Sequence, residues 1–198
     1  MKTTKSEIIR KAAGLFVHNG YHGTSLNDIS EAVGIKKAGL FFHFKNKEEL
    51  YKAVLEQYVT SIPSPNVLFE DNMHCSLTEF IEVFSNKKTY FLNTMKDVIE
   101  KEEINFSQAM SFLLESGRLD NSCHEAIRNF DKEMLEVWKI IVLKSQQSEE
   151  TTNKYPAEHI ANIIYMAYKG HLMSKAFGTV EPDKSKELLE KAYALFKK

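Results

Sequence analysis

Well-placed start and stop signals divide the N-terminal part of this chain into short helices. Gly20 and Gly34 each follow apolar residues with helical spacing, which is where helix stops are usually found. Thr24 and Ser25 can cap the next helix at its N-terminus, and Asn46 can cap a later one. These signals predict helices over about 5–19, 26–33, 36–43 and 47–62.

Helical spacing also dominates the rest of the 198-residue chain, and no sustained alternation of apolar and polar residues demands a strand. An irregular stretch, SIPSPNVLFEDNMHC, is followed by helices predicted over about 76–98, 104–115, 121–147, 156–177 and 183–197. We therefore predict an all-α protein of about nine helices. An N-terminal three-helix domain covers 1–46 and a larger helical domain covers 47–198, with the helix over 47–62 linking the two.

Composition excludes several classes of protein. The chain has 43% hydrophobic residues, including 13 Phe and 8 Tyr, which is too many for a disordered protein. Its longest apolar run, 163–168, is far below the roughly 20 residues that a membrane span requires. The N-terminus lacks the apolar region of a signal peptide. Cys75 and Cys123 form no CxxC pair and suit two free thiols in a reducing compartment, so we expect a soluble, cytoplasmic protein.

Charge is distributed unevenly along the chain. The formal net charge is −1, so the total indicates no nucleic-acid partner. Residues 1–50, however, contain eight Lys or Arg and five Asp or Glu, a net charge of +3, whereas the remaining residues carry −4. The excess of positive charge in residues 1–50 reflects either a fluctuation on solvated helix faces or a basic segment that binds phosphate groups.

The second and third predicted helices, joined by a short turn at Gly34, have the form of a helix-turn-helix. The apolar residues predicted to fill the space between them are Ala32, Val33, Ile35 and Leu40. The third helix could then present its outer face to the major groove of DNA, whose width admits one helix. That face would carry Lys36, Lys37, Gly39, Phe42 and His43.

From Gly20 to Leu50 the sequence reads GYHGTSLNDISEAVGIKKAGLFFHFKNKEEL. It resembles the N-terminal signature of the TetR family of bacterial transcriptional regulators, in outline G-Y/F-x-x-T-S-x-x-D-I-A-x-x-A-G-V-S-K-G-x-L-Y-x-H-F-x-S-K-E-x-L. Order and spacing agree without a gap over the whole stretch. Chain length and the predicted number of helices also fit the family. Beyond about Tyr58 the resemblance is one of architecture only.

The resemblance implies which residues contact DNA. Phosphate contacts would come from Thr24 or Ser25, from His43, and from Lys47 at the start of the fourth helix. The residues implied to contact base edges are Lys37, Ala38, Gly39 and Phe42. A lysine contact to guanine and an apolar contact from Phe42 or Ala38 to a thymine methyl are the plausible forms.

Three departures from the family pattern matter for the DNA contacts. Lys36 stands where Ser is usual and adds a positive charge at the DNA surface, and Ala38 replaces the usual Gly. Phe41 replaces the usual Tyr, so the phosphate contact of that hydroxyl is not expected. We expect these changes to alter the operator sequence rather than the mode of binding.

For the C-terminal region the resemblance implies a homodimer formed through the last two helices. The helix over 156–177 is apolar on nearly every face, so it must be buried on more than one side. The final helix carries a one-sided apolar stripe. The predicted interface residues are Ile164, Tyr165, Ala167, Leu172, Leu188, Ala192, Leu195 and Phe196.

The resemblance also implies a small effector bound in this region. Aromatic residues and methionines that share helix faces are typical of an apolar cavity, although ordinary core packing explains any single one of them. The predicted effector-binding residues are Phe84, Phe91, Met95, Met110, Phe130, Met134, Trp138 and Tyr168. Asn93 or His171 could also orient the ligand, which we predict to be apolar or aromatic.

These expectations describe a DNA-binding regulator, a repressor that a small-molecule effector releases from a palindromic operator. Two alternatives stay open: a helical ligand-binding protein or enzyme that keeps the helix-turn-helix as a structural element, and an interaction protein whose only ligand is its partner. No phosphate-binding loop or GxSxG motif is present, so we expect no catalysis and no cofactor. His18 and His22 have the spacing of a metal pair, but Gly20 lies between them, and we expect no metal.

Overall fold

The computed structural model describes residues 4–87, 94–179 and 184–198, without the side chain of Glu100. Within them the chain is helical, as predicted, and an isolated bridge between Thr151 and Lys197 stands outside any strand. The α-helices are α1 Lys5–Gly23, α2 Leu26–Val33, α3 Lys37–His43, α4 Lys47–Leu55, α5 Pro65–Leu68, α6 Leu77–Lys87, α7 Lys96–Lys101, α8 Phe106–Leu119, α9 Asn121–Gln147, α10 Ala157–Ala176 and α11 Ser185–Ala194. A π-helical turn, Glu56–Thr60, continues α4, and a 3₁₀ turn, Glu70–Asn72, follows α5.

The described residues thus form eleven α-helices rather than about nine, because two short helices were not predicted. Helix α5 forms inside the stretch expected to be irregular, where Pro65 occupies the first helical position and its missing N–H costs no hydrogen bond. Helix α7 begins only after Met95, which has φ −95° and ψ 8°, so the prediction of one continuous helix over 76–98 is wrong.

The chain divides into two compact units. The first consists of Met1–Ile62 and Tyr90–Ala126, and the second of Pro63–Thr89 and Ile127–Lys198. The first unit therefore includes α4, α7 and α8 as well as the three N-terminal helices. It extends well beyond residue 46, the predicted end of the DNA-binding domain. The assignment of DNA binding to residues 1–46 and of effector binding and dimerisation to residues 47–198 stays a prediction.

The core of the first unit forms around the apolar face of α1. Phe16 is fully buried, and its ring meets the ring of Tyr51 edge-on with centroids 5.0 Å apart. The ring of Phe112, on α8, packs edge-on against Tyr51 from further along the chain, at 6.4 Å. Burial raises the pKa of Tyr51 to about 12, so its hydroxyl stays neutral and shares a 3.4 Å hydrogen bond with Ser116.

Helix α1 is interrupted at Gly20, the predicted stop. Gly20 has φ 71° and ψ 170°, a backbone conformation that is essentially restricted to glycine. A Cβ added there would lie 3.1 Å from Oε1 of Glu115. The direction of the chain between α1 and α2 therefore depends on a residue without a side chain.

The core of the second unit is an aromatic cluster around Trp138, which is fully buried. Phe80 and Phe84 meet the indole edge-on with ring centroids 4.9 and 5.0 Å away. Tyr168 of α10 packs against Phe84 at 4.8 Å. Through these contacts α6, α9 and α10 pack against one another.

A single carboxylate caps α6 and ties it to the end of the chain. Glu150 accepts hydrogen bonds from the backbone N–H groups of Leu77 and Thr78, at 3.0 and 3.1 Å, and from the hydroxyls of Thr78 and Tyr193, both at 2.9 Å. Burial raises the pKa of Glu150, but these hydrogen bonds outweigh it, and the pKa lies below the ordinary 4.5.

Both cysteines are free thiols, as predicted. Cys75 is half-buried and Cys123 is buried. Burial raises the pKa of Cys123 to about 11, which keeps this thiol protonated and unreactive at neutral pH. Among the described helices there is no candidate for a membrane span, and the described residues hold no group of three or more side chains suited to a metal ion.

Replacing Gly20 with Ala should lower the free energy of unfolding by about 1–3 kcal/mol, because the new side chain forces a backbone conformation that L-residues avoid. Urea denaturation of the purified protein measures this change. Gly39→Ala is the matched control, since a Cβ there meets only Ile35 at ordinary contact distances. Equal stability of wild type and Gly20→Ala would contradict the account of the α1 break.

Replacing Glu150 with Ala should lower the free energy of unfolding at pH 7 by about 1–2 kcal/mol, the usual effect of losing an N-terminal helix cap. Because the folded pKa is depressed, the stabilisation is present above the ordinary pKa of 4.5 and disappears as the pH falls through the lowered value. Urea denaturation of wild type and variant between pH 7 and 3 measures the difference. Glu136→Ala removes only an exposed ion pair with Lys139 and should change little. A difference that does not shrink in acid would refute the assignment to the carboxylate.

Candidate nucleic-acid interface

Helix α2 begins and ends at sharply defined residues. The Asp28 N–H donates to the Ser25 hydroxyl at 3.2 Å, and the Ser25 N–H donates to the Asp28 carboxylate at 2.8 Å, which forms a reciprocal cap. The hydrogen bond from the Ser25 N–H is the largest of the interactions that lower the pKa of the Asp28 carboxyl. At the other end Gly34 adopts the left-handed conformation, with φ 76°, and the Ile35 N–H donates to the carbonyl of Ser30 at 3.0 Å. The predicted start and stop are both confirmed.

Helix α3 is anchored by its inner face. Leu40 and, just beyond the helix, Phe44 are buried. Val33 and Ile35 are half-buried, as expected for residues between the two helices, but Ala32 is exposed and does not contribute. A short, seven-residue helix is thus held by one buried side chain and by the turn that precedes it.

The outer face of α3 carries positive charge and apolar surface together. Lys36, Lys37, Ala38 and Gly39 are all exposed. The side chain of Phe42 is 85% exposed, and its ring lies nearly perpendicular to that of His43, with ring centroids 5.2 Å apart. A large aromatic side chain held in water beside lysines is typical of a surface that a ligand covers.

The remaining predicted phosphate-contacting residues are differently placed. Thr24 is only 1% exposed, and its hydroxyl faces the carbonyls of Gly20 and Leu15 at 2.9 and 3.2 Å rather than solvent. Of the pair Thr24 and Ser25, only Ser25 lies at the surface. His43 is half-buried. The ammonium group of Lys47, also half-buried, is bound to backbone carbonyls of the chain itself.

Comparison with known protein families identifies the segment of the chain that carries this surface. Residues 8–54 match the family model for bacterial regulatory proteins of the tetR family. The chain is 52% identical over 52 residues, 26% of its length and 28% of the relative's, to the IcaR negative transcriptional regulator of the biofilm operon icaADBC of Staphylococcus epidermidis. It is 26% identical to IcaR of Staphylococcus aureus over 207 aligned positions, which cover 96% of both chains.

The N-terminal region of the chain, residues 8–54, is of the TetR family. The resemblance inferred from residues 20–50 is therefore confirmed. A solved structure of a TetR-family regulator from Cytophaga hutchinsonii matches the fold with a TM-score of 0.60, covering 98% of this chain and 94% of that one at 20% identity. The similarity in fold thus extends over both compact units of this chain.

The predicted effector-binding residues are spread over the two units of the TetR-family fold. Phe84, Met134, Trp138 and Tyr168 belong to the buried core of the second unit, and Phe130 packs against it. Met95 is buried and Met110 is half-buried in the first unit. Phe91 and Asn93 lie outside the described residues, and His171 is half-buried in the second unit. The indole N–H of Trp138 is buried without a hydrogen-bond acceptor among the described residues.

A cleft of about 460 Å³ that the sequence did not predict lies on α1 and α8 in the first unit. The residues that line it are Phe16, Val17, His18, Gly20, Ser111, Phe112, Leu114, Glu115 and Arg118. None of them is among the predicted effector-binding residues. No local pattern could have identified this cleft, because its two walls lie about ninety positions apart in the sequence.

The last two helices carry the predicted dimer residues on several faces. Ile164, Tyr165, Ala192 and Phe196 are buried in the core of the second unit itself, and Ala167, Leu172 and Leu188 are half-buried. Only Leu195, 74% exposed, lies fully at the surface. The exposed apolar side chains of this region that the sequence did not single out are Ile163, Met166, Met173 and Phe177. The sequence marked nearly all faces of α10 as apolar, and only the fold shows which of them the chain itself covers.

Proposed function

We propose that this TetR-family chain is a sequence-specific DNA-binding transcriptional repressor. The observation that carries the proposal is the outer face of α3, where exposed Lys36, Lys37 and Phe42 project from a helix that buried Leu40 holds in place. Repression is supported by the Staphylococcus aureus relative, which is named as a negative transcriptional regulator and aligns with almost the whole chain.

In this proposal α3 enters the major groove. Its lysines bind phosphates or guanine edges, and Phe42 contacts a thymine methyl. His43 and the surface residue Ser25 supply further phosphate contacts. Because the operator is read in the bacterial cytoplasm, the proposal places the protein there and assigns it no catalytic step.

The proposed repressor is a homodimer on a palindromic operator. Exposed apolar side chains on α10 and beyond α11, among them Met166, Phe177 and Leu195, support an interface formed by the last two helices. A two-fold dimer presents two copies of α3 to two half-sites about one turn of DNA apart or somewhat further.

An apolar or aromatic effector releases the proposed dimer from DNA. The support is the aromatic core of the second unit, where the indole N–H of Trp138 is left without an acceptor among the described residues. A ligand oxygen or a bound water can satisfy that donor. The effector binds the DNA-incompetent state more tightly and so shifts the population away from operator binding.

Lys37→Ala should weaken binding to DNA selected from a random pool about tenfold, because one phosphate or base contact is worth about 1–3 kcal/mol. The slope of log affinity against log salt should fall by about 0.9. Gel-shift titrations on a palindromic duplex measure both values, and two chains should bind per duplex. Lys132→Ala, an exposed lysine of α9, is the matched control and should change neither. Failure of the wild-type protein to select any DNA would refute the proposed function and favour a helical ligand-binding protein or enzyme.

Binding of the effector should change the fluorescence of Trp138, the chain's one tryptophan, at the concentrations that release the operator. The reason is that a ligand in the second unit alters the surroundings of a buried indole. A panel of apolar, aromatic and strongly charged compounds is titrated into protein with and without operator. Release by charged compounds alone, with Trp138 emission constant, would show that the effector and its site are different from those proposed.

A further inference from the structure

Two side chains of opposite charge hold the last turn of α1, residues 21–24, which follows the break at Gly20 and leads into α2, and both come from other helices. Lys47, at the start of α4, donates from its ammonium group to the carbonyl of Tyr21 at 2.8 Å and to that of Thr24 at 2.9 Å. Glu115 of α8 lies on the other side, and its carboxylate accepts the Tyr21 N–H at 3.3 Å. The turn of residues 21–24 is thus held from two sides by side chains distant in sequence.

An aromatic contact further holds the ammonium group of Lys47 at this turn. Its ammonium group lies 4.2 Å from the ring centroid of Tyr21, within the range of a cation–π contact. That ring packs in turn on Tyr51, with centroids 4.6 Å apart. Hydrogen bonds in which the donor is charged are roughly twice as strong as neutral ones, so releasing Lys47 would deprive the carbonyls of Tyr21 and Thr24 of their charged donor.

The turn leads directly into the elements that carry the outer face of α3. Ser25, the cap of α2, follows Thr24 without an intervening residue. Helix α2 passes into α3 through the left-handed Gly34 and the hydrogen bond from Ile35 to Ser30. A displacement of the turn therefore moves α2 and α3 together.

We propose that Lys47 and Glu115 are positioning residues, which set the orientation of α3 by holding the turn of residues 21–24. This inference rests on the proposed DNA-binding function. It assigns Lys47 a different role from the phosphate contact that the family resemblance implied. Lys47 acts through the turn, and its charge is directed at the protein's own carbonyl groups.

The change in DNA affinity on removing Glu115 distinguishes a positioning role from a purely electrostatic one. Removing an acidic side chain from a DNA-binding protein reduces repulsion from the phosphates, and on charge alone it raises affinity. If Glu115 positions the turn, its removal lowers affinity instead. The two roles thus predict changes in opposite directions for the same variant.

The first test uses the wild-type protein without DNA. Lysines are acetylated with a limiting amount of an N-hydroxysuccinimide ester, and the rate at each lysine is measured by mass spectrometry. Lys47 should react about tenfold more slowly than exposed Lys37, because its ammonium group is engaged in charge-assisted hydrogen bonds. Adding operator should protect Lys37 and leave Lys47 unchanged. A Lys47 that reacts freely and is protected only by operator would overturn the proposal.

The second test compares four variants on the operator. Lys47→Met and Glu115→Ala should each weaken binding about tenfold, roughly the effect of losing one hydrogen bond to a charged group, with the salt slope unchanged. Lys37→Met is the matched control and should lower the slope by about 0.9. Lys47→Arg keeps the donors and the charge and should restore binding to within about threefold of wild type. Circular dichroism at the assay temperature shows that each variant is folded.

Distinct outcomes separate the inference from the proposed function. A salt slope that falls for Lys47→Met as it does for Lys37→Met, or an affinity that rises for Glu115→Ala, would refute positioning while leaving DNA binding intact. If Lys47→Met does not fold, Glu115→Ala and the acetylation rates still decide the question. If the wild-type protein binds no operator, the proposed function fails, and slow acetylation of Lys47 without DNA still reports on the turn.

Discussion

The orientation of α3 depends on the turn at residues 20–24, because α3 has only seven residues. Isolated helices shorter than about 12 residues are marginal in water, so α3 cannot define its own position. The turn follows Gly20, whose conformation strongly disfavours other residues, and it is closed by the buried hydroxyl of Thr24. Lys47 and Glu115 add charge-assisted hydrogen bonds from α4 and α8. Burial of Leu40 completes the support from the inner side of α3.

The second unit is stabilised in a different way. Its core is a set of edge-on aromatic contacts around Trp138, and its polar contacts converge on Glu150, which caps α6 and binds Tyr193 of α11. Burying Trp138 leaves an indole N–H unsatisfied among the described residues, which a stable core usually avoids. Exposed apolar residues on α10 and just beyond the ends of α10 and α11 form a second departure from an ordinary surface. Both departures are expected in a unit that binds a ligand and a second copy of the chain.

Local signals predicted the helix-turn-helix well because its boundaries are set by neighbouring residues. The stops at Gly20 and Gly34 and the cap at Ser25 each involve contacts within a few positions. Thr24 and Lys47 were harder to interpret, since their hydrogen-bond partners depend on how α1 and α4 pack. The separate helix α7 was missed for the same reason: the apolar spacing continues through Met95, whereas the backbone does not continue as a helix.

By itself, the sequence determined that the chain is helical, where the N-terminal helices begin and end, and that its N-terminal region is of the TetR family, because glycine stops, polar caps and motif spacing act over short distances. Only the tertiary structure decided which of these side chains are available to a ligand. Phe42 and Thr24 lie within one short motif, yet one is exposed in water and the other is enclosed by α1. Likewise, only the packing of α10 distinguishes buried Ile164 from exposed Ile163 on an almost wholly apolar helix. Burial depends on which distant helices cover a face, and a local pattern of residue types does not contain that information.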